Sequence, residues 1–118
     1  MSDLKYRGEQ VELDDGRVVV VPKLPVGVQR DNIDKIKAAE DAAKGLAGRA
    51  PDDASVYGAA LDMHTRRAEV VLLALRLNHP DITLEDLLAT CSDDTITELY
   101  VAIWKRRGGQ AKGEAASP

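Results

Sequence analysis

Phenylalanine is absent from this chain, and one Trp with three Tyr brings the aromatic content to only 3%. A core without large rings must be built from Leu, Val, Ile and Ala, which the 44% hydrophobic content can supply. Cysteine occurs once, at Cys91, which excludes an internal disulfide framework and suits a reducing compartment. Histidine occurs twice, at His64 and His79, fifteen residues apart. With no Cys-x-x-Cys or His-Glu-x-x-His spacing, the ligand set of a structural or catalytic zinc site is missing. No apolar stretch approaches the roughly 20 residues that a membrane span needs, and Met1 to Lys5 lacks the apolar segment of a signal peptide. The expectation is a soluble, intracellular protein with no membrane partner. An excess of basic charge is lacking too. Sixteen Lys and Arg against twenty Asp and Glu leave a net charge of -4, which argues against a protein that works by neutralising phosphates.

Signals for catalysis are equally thin. Cys91 lies among Leu87, Leu88 and Thr90 and reads as a small core hydrophobe, while Ser55 and Ser92 read as helix caps. There is no Gly-x-Ser-x-Gly elbow, and the glycines from Gly45 to Gly48 are not followed by the Lys-Ser/Thr of a phosphate-binding loop. The acidic pairs Asp14-Asp15, Asp52-Asp53 and Asp93-Asp94 all fall at turns or helix starts, where capping accounts for them. No catalytic residue, metal or cofactor is nominated, and the chain is read as a non-enzyme.

The 118 residues fit one domain. Residues 1–8 are expected to be flexible, 9–107 to form a single helical domain, and 108–118 to be a small polar disordered tail. The domain opens with a β-hairpin over residues 9–21. Val11-Glu12-Leu13 and Arg17-Val18-Val19-Val20-Val21 flank Asp14-Asp15-Gly16, and an Asp-Gly pair between β-branched runs is a strong turn signal. Pro22 ends the second strand. About four helices follow, so the fold class is mainly α with an N-terminal hairpin.

The first helix is expected from Val26 to Lys44, with a thin apolar stripe of Val28, Ile33, Ile36 and Ala39 or Ala43. Gly45 to Asp53 reads as a loop, with Asp52, Asp53 or Ser55 capping what comes next. A long helix from Ala54 to Leu77 would carry Val56, Ala60, Met63, Val70, Ala74 and Leu77 on one side and Leu61, Leu72 and Leu75 partly on another. Arg66 and Arg67 interrupt this path and are expected to snorkel to water. Asn78-His79-Pro80 stops the helix. Thr83-Leu84-Glu85-Asp86 has the form of a capping box, with Leu84, Leu87, Leu88 and Cys91 following on a short apolar face. A last helix from about Asp93 buries Ile96, Leu99, Tyr100, Ile103 and Trp104 and ends in Lys105-Arg106-Arg107, the favourable charge for that terminus.

The informative excess is Val70-Val71-Leu72-Leu73-Ala74-Leu75, six apolar residues in a row that cover the whole circumference of the long helix. Two readings stand open: the hairpin and the other helices wrap it, or part of it meets a partner or a second copy of the chain. From periodicity, the candidate partner-binding residues are Val70, Leu73, Leu77, Leu84, Leu87 and Leu88, supported by Met63, Ile96, Leu99 and Ile103. The basic clusters Arg66-Arg67 and Lys105-Arg106-Arg107 leave a small DNA-binding regulator as a minor alternative.

Three segments carry a likeness to a known family. They are Gly16-Arg17-Val18-Val19-Val20-Val21-Pro22-Lys23-Leu24, the junction from Ala74 through Asn78-His79-Pro80-Asp81-Ile82-Thr83 to Leu87, and the helix from Ile96 to Trp104. Together they resemble the tail assembly chaperones of tailed phages, encoded just before the tape-measure gene. The likeness spans roughly residues 10 to 105 and is most specific from Ala50 to Leu87, with Asp86 departing from the family's second Glu. It implies a protein in the cytoplasm of an infected bacterium that binds the tape-measure protein, promotes tail tube assembly and is absent from the mature virion. It also implies contact with the tail tube protein through a frameshifted extension leaving from the segment Gly108 to Pro118. The runner-up is a structural head–tail connector or minor tail protein.

Overall fold

A computed structural model of the chain describes residues 6–47 and 54–105. Two strands and five helices follow in the order β1 (Glu9–Glu12), β2 (Val18–Val21), α1 (Val26–Asp31), α2 (Ile33–Leu46), α3 (Ala54–Asn78), α4 (Leu84–Thr90) and α5 (Asp93–Trp104). The fold is mainly helical with an N-terminal antiparallel hairpin, as the sequence leads one to expect.

The hairpin pairs Glu9 with Val21 and Glu12 with Val18. Its loop is closed by Leu13 N–H donating to Arg17 O and Gly16 N–H donating to Leu13 O, with Gly16 at φ 93°. That is a three-residue loop whose last position needs a left-handed backbone, and Gly supplies it without a Cβ clash. Val11, Leu13, Val19 and Val21 fall on one face and are buried. Two strands alone are marginal in water, and here that face packs on α3 and α5.

The helix expected from Val26 to Lys44 is two helices. Asn32 breaks it: its backbone leaves the helical region at φ -128°, ψ 27°, and its side-chain amide donates to Val28 O at 2.9 Å. Side-chain competition of this kind is why Asn is poor in helix interiors. α2 then runs on through Gly45 to Leu46, beyond the start of the expected loop. Only Ile36 and Ala39 of the expected stripe are buried in α2, while Ile33 points to water at 56% exposure. Ser55 lies inside α3 rather than at its cap; the other cap candidates, Asp52 and Asp53, lie outside the described residues.

α3 is the axis of the molecule. At 25 residues it extends about 37 Å, and it packs on α2, α4, α5 and β2. Val70, Val71, Ala74 and Leu75 are fully enclosed, and Leu72 and Leu73 are half-buried against the same cluster. The six-residue apolar run is therefore wrapped by its own chain. α4 is capped by Thr83, whose hydroxyl accepts from Asp86 N–H at 3.1 Å. Only this half of the expected capping box is present, because the Asp86 carboxylate turns instead to Arg17 and Thr90. α5 is capped by Ser92, whose hydroxyl accepts from Thr95 N–H, and it buries Ile96, Leu99 and Ile103. Trp104 is 39% exposed rather than buried, and the helix ends there, with Lys105 already extended. Arg106 and Arg107 lie outside the described residues.

Candidate partner-binding surface

The segment between α3 and α4 is consumed by the hairpin. Asn78 holds the backbone of Tyr6 from both sides: its Oδ1 accepts from Tyr6 N–H and its Nδ2 donates to Tyr6 O, both at 2.9 Å. Residues 6–8, expected to be flexible, are thereby pinned at one end. His79 Nε2 accepts from Val20 N–H at 3.1 Å. In the ladder set by the hairpin loop, Val19 and Val21 face β1, so the backbone of Val20 faces the other way. The imidazole thus takes the place of a neighbouring strand on the β2 edge. This geometry needs the neutral ring, and burial lowers the His79 pKa below its ordinary value.

Two carboxylates complete the clamp. Arg17, in the hairpin, makes a two-pronged bond to Asp86 of α4, with both contacts at 3.1 Å, and reaches Asp15 at 2.8 Å. Hydrogen bonds from Arg17 hold the Asp86 carboxyl below its usual range. Asp14, in the hairpin loop, accepts from Ser92 N–H at 2.6 Å and from the Thr95 hydroxyl at 3.0 Å. Those donors, the backbone of Ser92 first, lower its pKa, and they seat a negative charge at the α5 N-terminus, where the helix dipole favours it. Asn78, His79, Thr83 and Asp86 all belong to the junction singled out in the sequence, and each has an intramolecular task.

The candidate partner residues separate accordingly. Val70 and Leu87 are completely buried in the chain's own core, so neither belongs to a surface in this conformation. Leu73, Leu77 and Leu84 are half-buried, and Leu88 is exposed at 44%. Among the supporting residues Ile96, Leu99 and Ile103 are core, and Met63 is buried apart from the main cluster.

A further exposed apolar stretch of α3 lies outside these candidates. Tyr57, Leu61, His64, Ala68 and Leu75 are spaced to lie on one stripe of α3. From Ala68 onward this stripe is fully buried, yet on the N-terminal turns Tyr57 is 70% exposed and Leu61 50%. The half-buried His64 lies between the two regimes, with its Nδ1 enclosed and unpartnered. The signal was available as a mismatch of lengths. A helix of 25 residues outruns the helices of 7 and 12 that follow it, and α2, which also packs on α3, leaves this stripe open at Tyr57 and Leu61. Nearby on the sequence, Arg67 lays its guanidinium 4.8 Å over the Tyr100 ring, and Tyr100 meets Trp104 edge to face at 6.1 Å. Arg67 is therefore a packing residue joining α3 to α5. Arg66 reaches Asp62 one turn away at 3.3 Å.

Cys91 is half-buried, and burial first, then the Asp14 carboxylate, pushes its thiol up to about 11, so it is a poor nucleophile at neutral pH. Among the described residues no three His, Cys, Asp or Glu side chains converge as a metal site requires, and no described helix is long and apolar enough to cross a membrane. Comparison with protein-family models, with curated proteins and with solved structures finds no match to this chain.

Proposed function

We propose that this chain is a non-enzymatic binding protein whose bare stripe on the first turns of α3 docks an apolar segment of another protein, and that it serves as a tail assembly chaperone for a phage tape-measure protein. The observation that carries the binding reading is the stripe itself, buried from Ala68 to Leu75 and open at Tyr57 and Leu61. Tyr is among the residues enriched as anchors of protein interfaces, and here Leu61 adjoins it one turn along the same stripe. The choice of client rests on the likeness of the hairpin, the Asn78 to Thr83 junction and α5 to the chaperone family.

On this reading the junction residues lock the hairpin to the helical body and do not touch the client. The client meets the far end of α3, and its own apolar surface is kept from aggregating while tube subunits gather. Two measurements test the assignment. Co-expression with the tape-measure protein encoded beside it should raise that protein's soluble fraction, and mass spectrometry of purified virions should find this chain missing. Its presence as a stoichiometric virion component would favour a connector or minor tail protein instead and overturn the chaperone assignment.

A further inference from the structure

Arg7 and Lys23 line one cavity because the backbone crosses itself between them. Gly8 lies so close to Val21 and Pro22 that a Cβ at position 8 would overlap the Val21 carbonyl and the Pro22 nitrogen. Only Gly tolerates such an approach, and the strap that carries it is held at its start by the paired Asn78–Tyr6 hydrogen bonds. The crossing fixes Arg7, one residue before Gly8, and Lys23, one residue after Pro22, on the wall of a single cavity of about 260 Å³. Lys105, at the end of α5, lines the same cavity and is paired with Glu9 at 3.4 Å. Arg7 and Lys23 have no ion-pair partner among the described residues.

A fold that carries a net charge of -4 thus places two exposed cations without an ion-pair partner on the wall of one cavity, where a ligand of opposite charge can pair with both at once. We propose that this cavity is a binding site for a small dianion, of the phosphate or dicarboxylate class. Charge sets the valence: Glu9 answers Lys105, leaving two positive charges to be matched. Size sets the scale, since pockets for drug-sized ligands hold about 300–1,000 Å³ and this one lies just below that range. The Arg7 guanidinium offers a planar fork suited to an oxyanion, and Lys23 a movable point charge. The carbonyl end of α5 places partial negative charge on the Ala102 side, so the anion sits towards Arg7 and Lys23. The site is separate from the α3 stripe and does not depend on the chaperone reading.

The test is an NMR titration of the isotope-labelled full chain at low ionic strength, with inorganic phosphate in one arm and succinate in the other. The expected result is saturable shifts of the Gly8, Glu9, Val21 and Ala102 amides, with a Kd below about 10 mM for at least one probe. The tighter of the two probes identifies the class. Arg7→Gln and Lys23→Gln should each weaken binding about tenfold or more, as loss of a charged hydrogen-bond partner does. Arg30→Gln, at an exposed position on α1, should leave binding unchanged. The spectrum of each variant reports whether it is folded. Absence of saturable shifts with both probes, shifts that map elsewhere, or equal weakening by Arg30→Gln would overturn the proposal.

Discussion

His79 does a backbone's work with a side chain. Its Nε2 satisfies the Val20 N–H that would otherwise face a helix junction with nothing to accept it. Removing it should cost about 0.5–1.5 kcal/mol, the net worth of a hydrogen bond that is only part-buried, and chemical denaturation of His79→Ala against wild type measures this directly. The pH dependence follows from the direction of the shift. Because burial lowers the folded pKa below 6.5, the unfolded chain takes up the proton first. The contribution is complete above about pH 6.5 and declines as the pH falls below that value. The two carboxylates of the clamp behave in the same sense at lower pH. Asp14 and Asp86 are both held below 3.8, so their contribution is present above that pH and lost on further acidification. Asp14→Asn should therefore be less stable than wild type at pH 7, with the difference closing in thermal melts below pH 3.8. Cys91 supplies a check that does not depend on stability. With its thiol pushed up to about 11 from an ordinary 9.0, the thiolate fraction at pH 8 drops about 100-fold. Native protein should react with a thiol reagent that much more slowly than protein in denaturant.

Among the elements, α3 and the two short helices after it show where sequence signals carry through and where they stop. Thr83 and Ser92 announce the starts of α4 and α5, since a hydroxyl before an apolar-periodic run is a local device that works without tertiary help. Thr83→Ala should destabilise the protein by about 1 kcal/mol, read from the denaturation midpoint. The reciprocal half of the capping box was not legible, because Asp86 is recruited by Arg17 from 69 positions away. The break at Asn32 was missed for the opposite reason: an apolar stripe continues across it, and only the side-chain bond to Val28 O shows that the helix does not. The periodicity of Val70 on α3 and of Leu87 on α4 marks both as apolar and suggests an outward face, whereas both are covered from all sides. Periodicity identifies a face and does not say where along the helix the covering elements run out. Substitution separates the two ends of one stripe. Leu75→Ala, in the closed part, should cost about 2–5 kcal/mol. Leu61→Ser, in the open part, should change stability by no more than about 0.5 kcal/mol.

At the scale of the whole molecule, the chain divides into a clamped end and an open end. At one end the hairpin, the α3–α4 junction and the α5 N-terminus are bound by Asn78, His79, the Arg17–Asp86 pair and Asp14. At the other, the first turns of α3 carry Tyr57 and Leu61 into solvent. On the proposed reading, this open stripe is where the chain holds another protein temporarily. The most direct measurement is co-purification of the tape-measure protein with wild type and with the double variant Tyr57→Ser/Leu61→Ser. Both should show the same melting temperature. The account predicts a soluble complex with wild type and loss of that complex with the double variant. A double variant that melts like wild type and still holds the client as tightly, or a wild type that forms no complex, would contradict it.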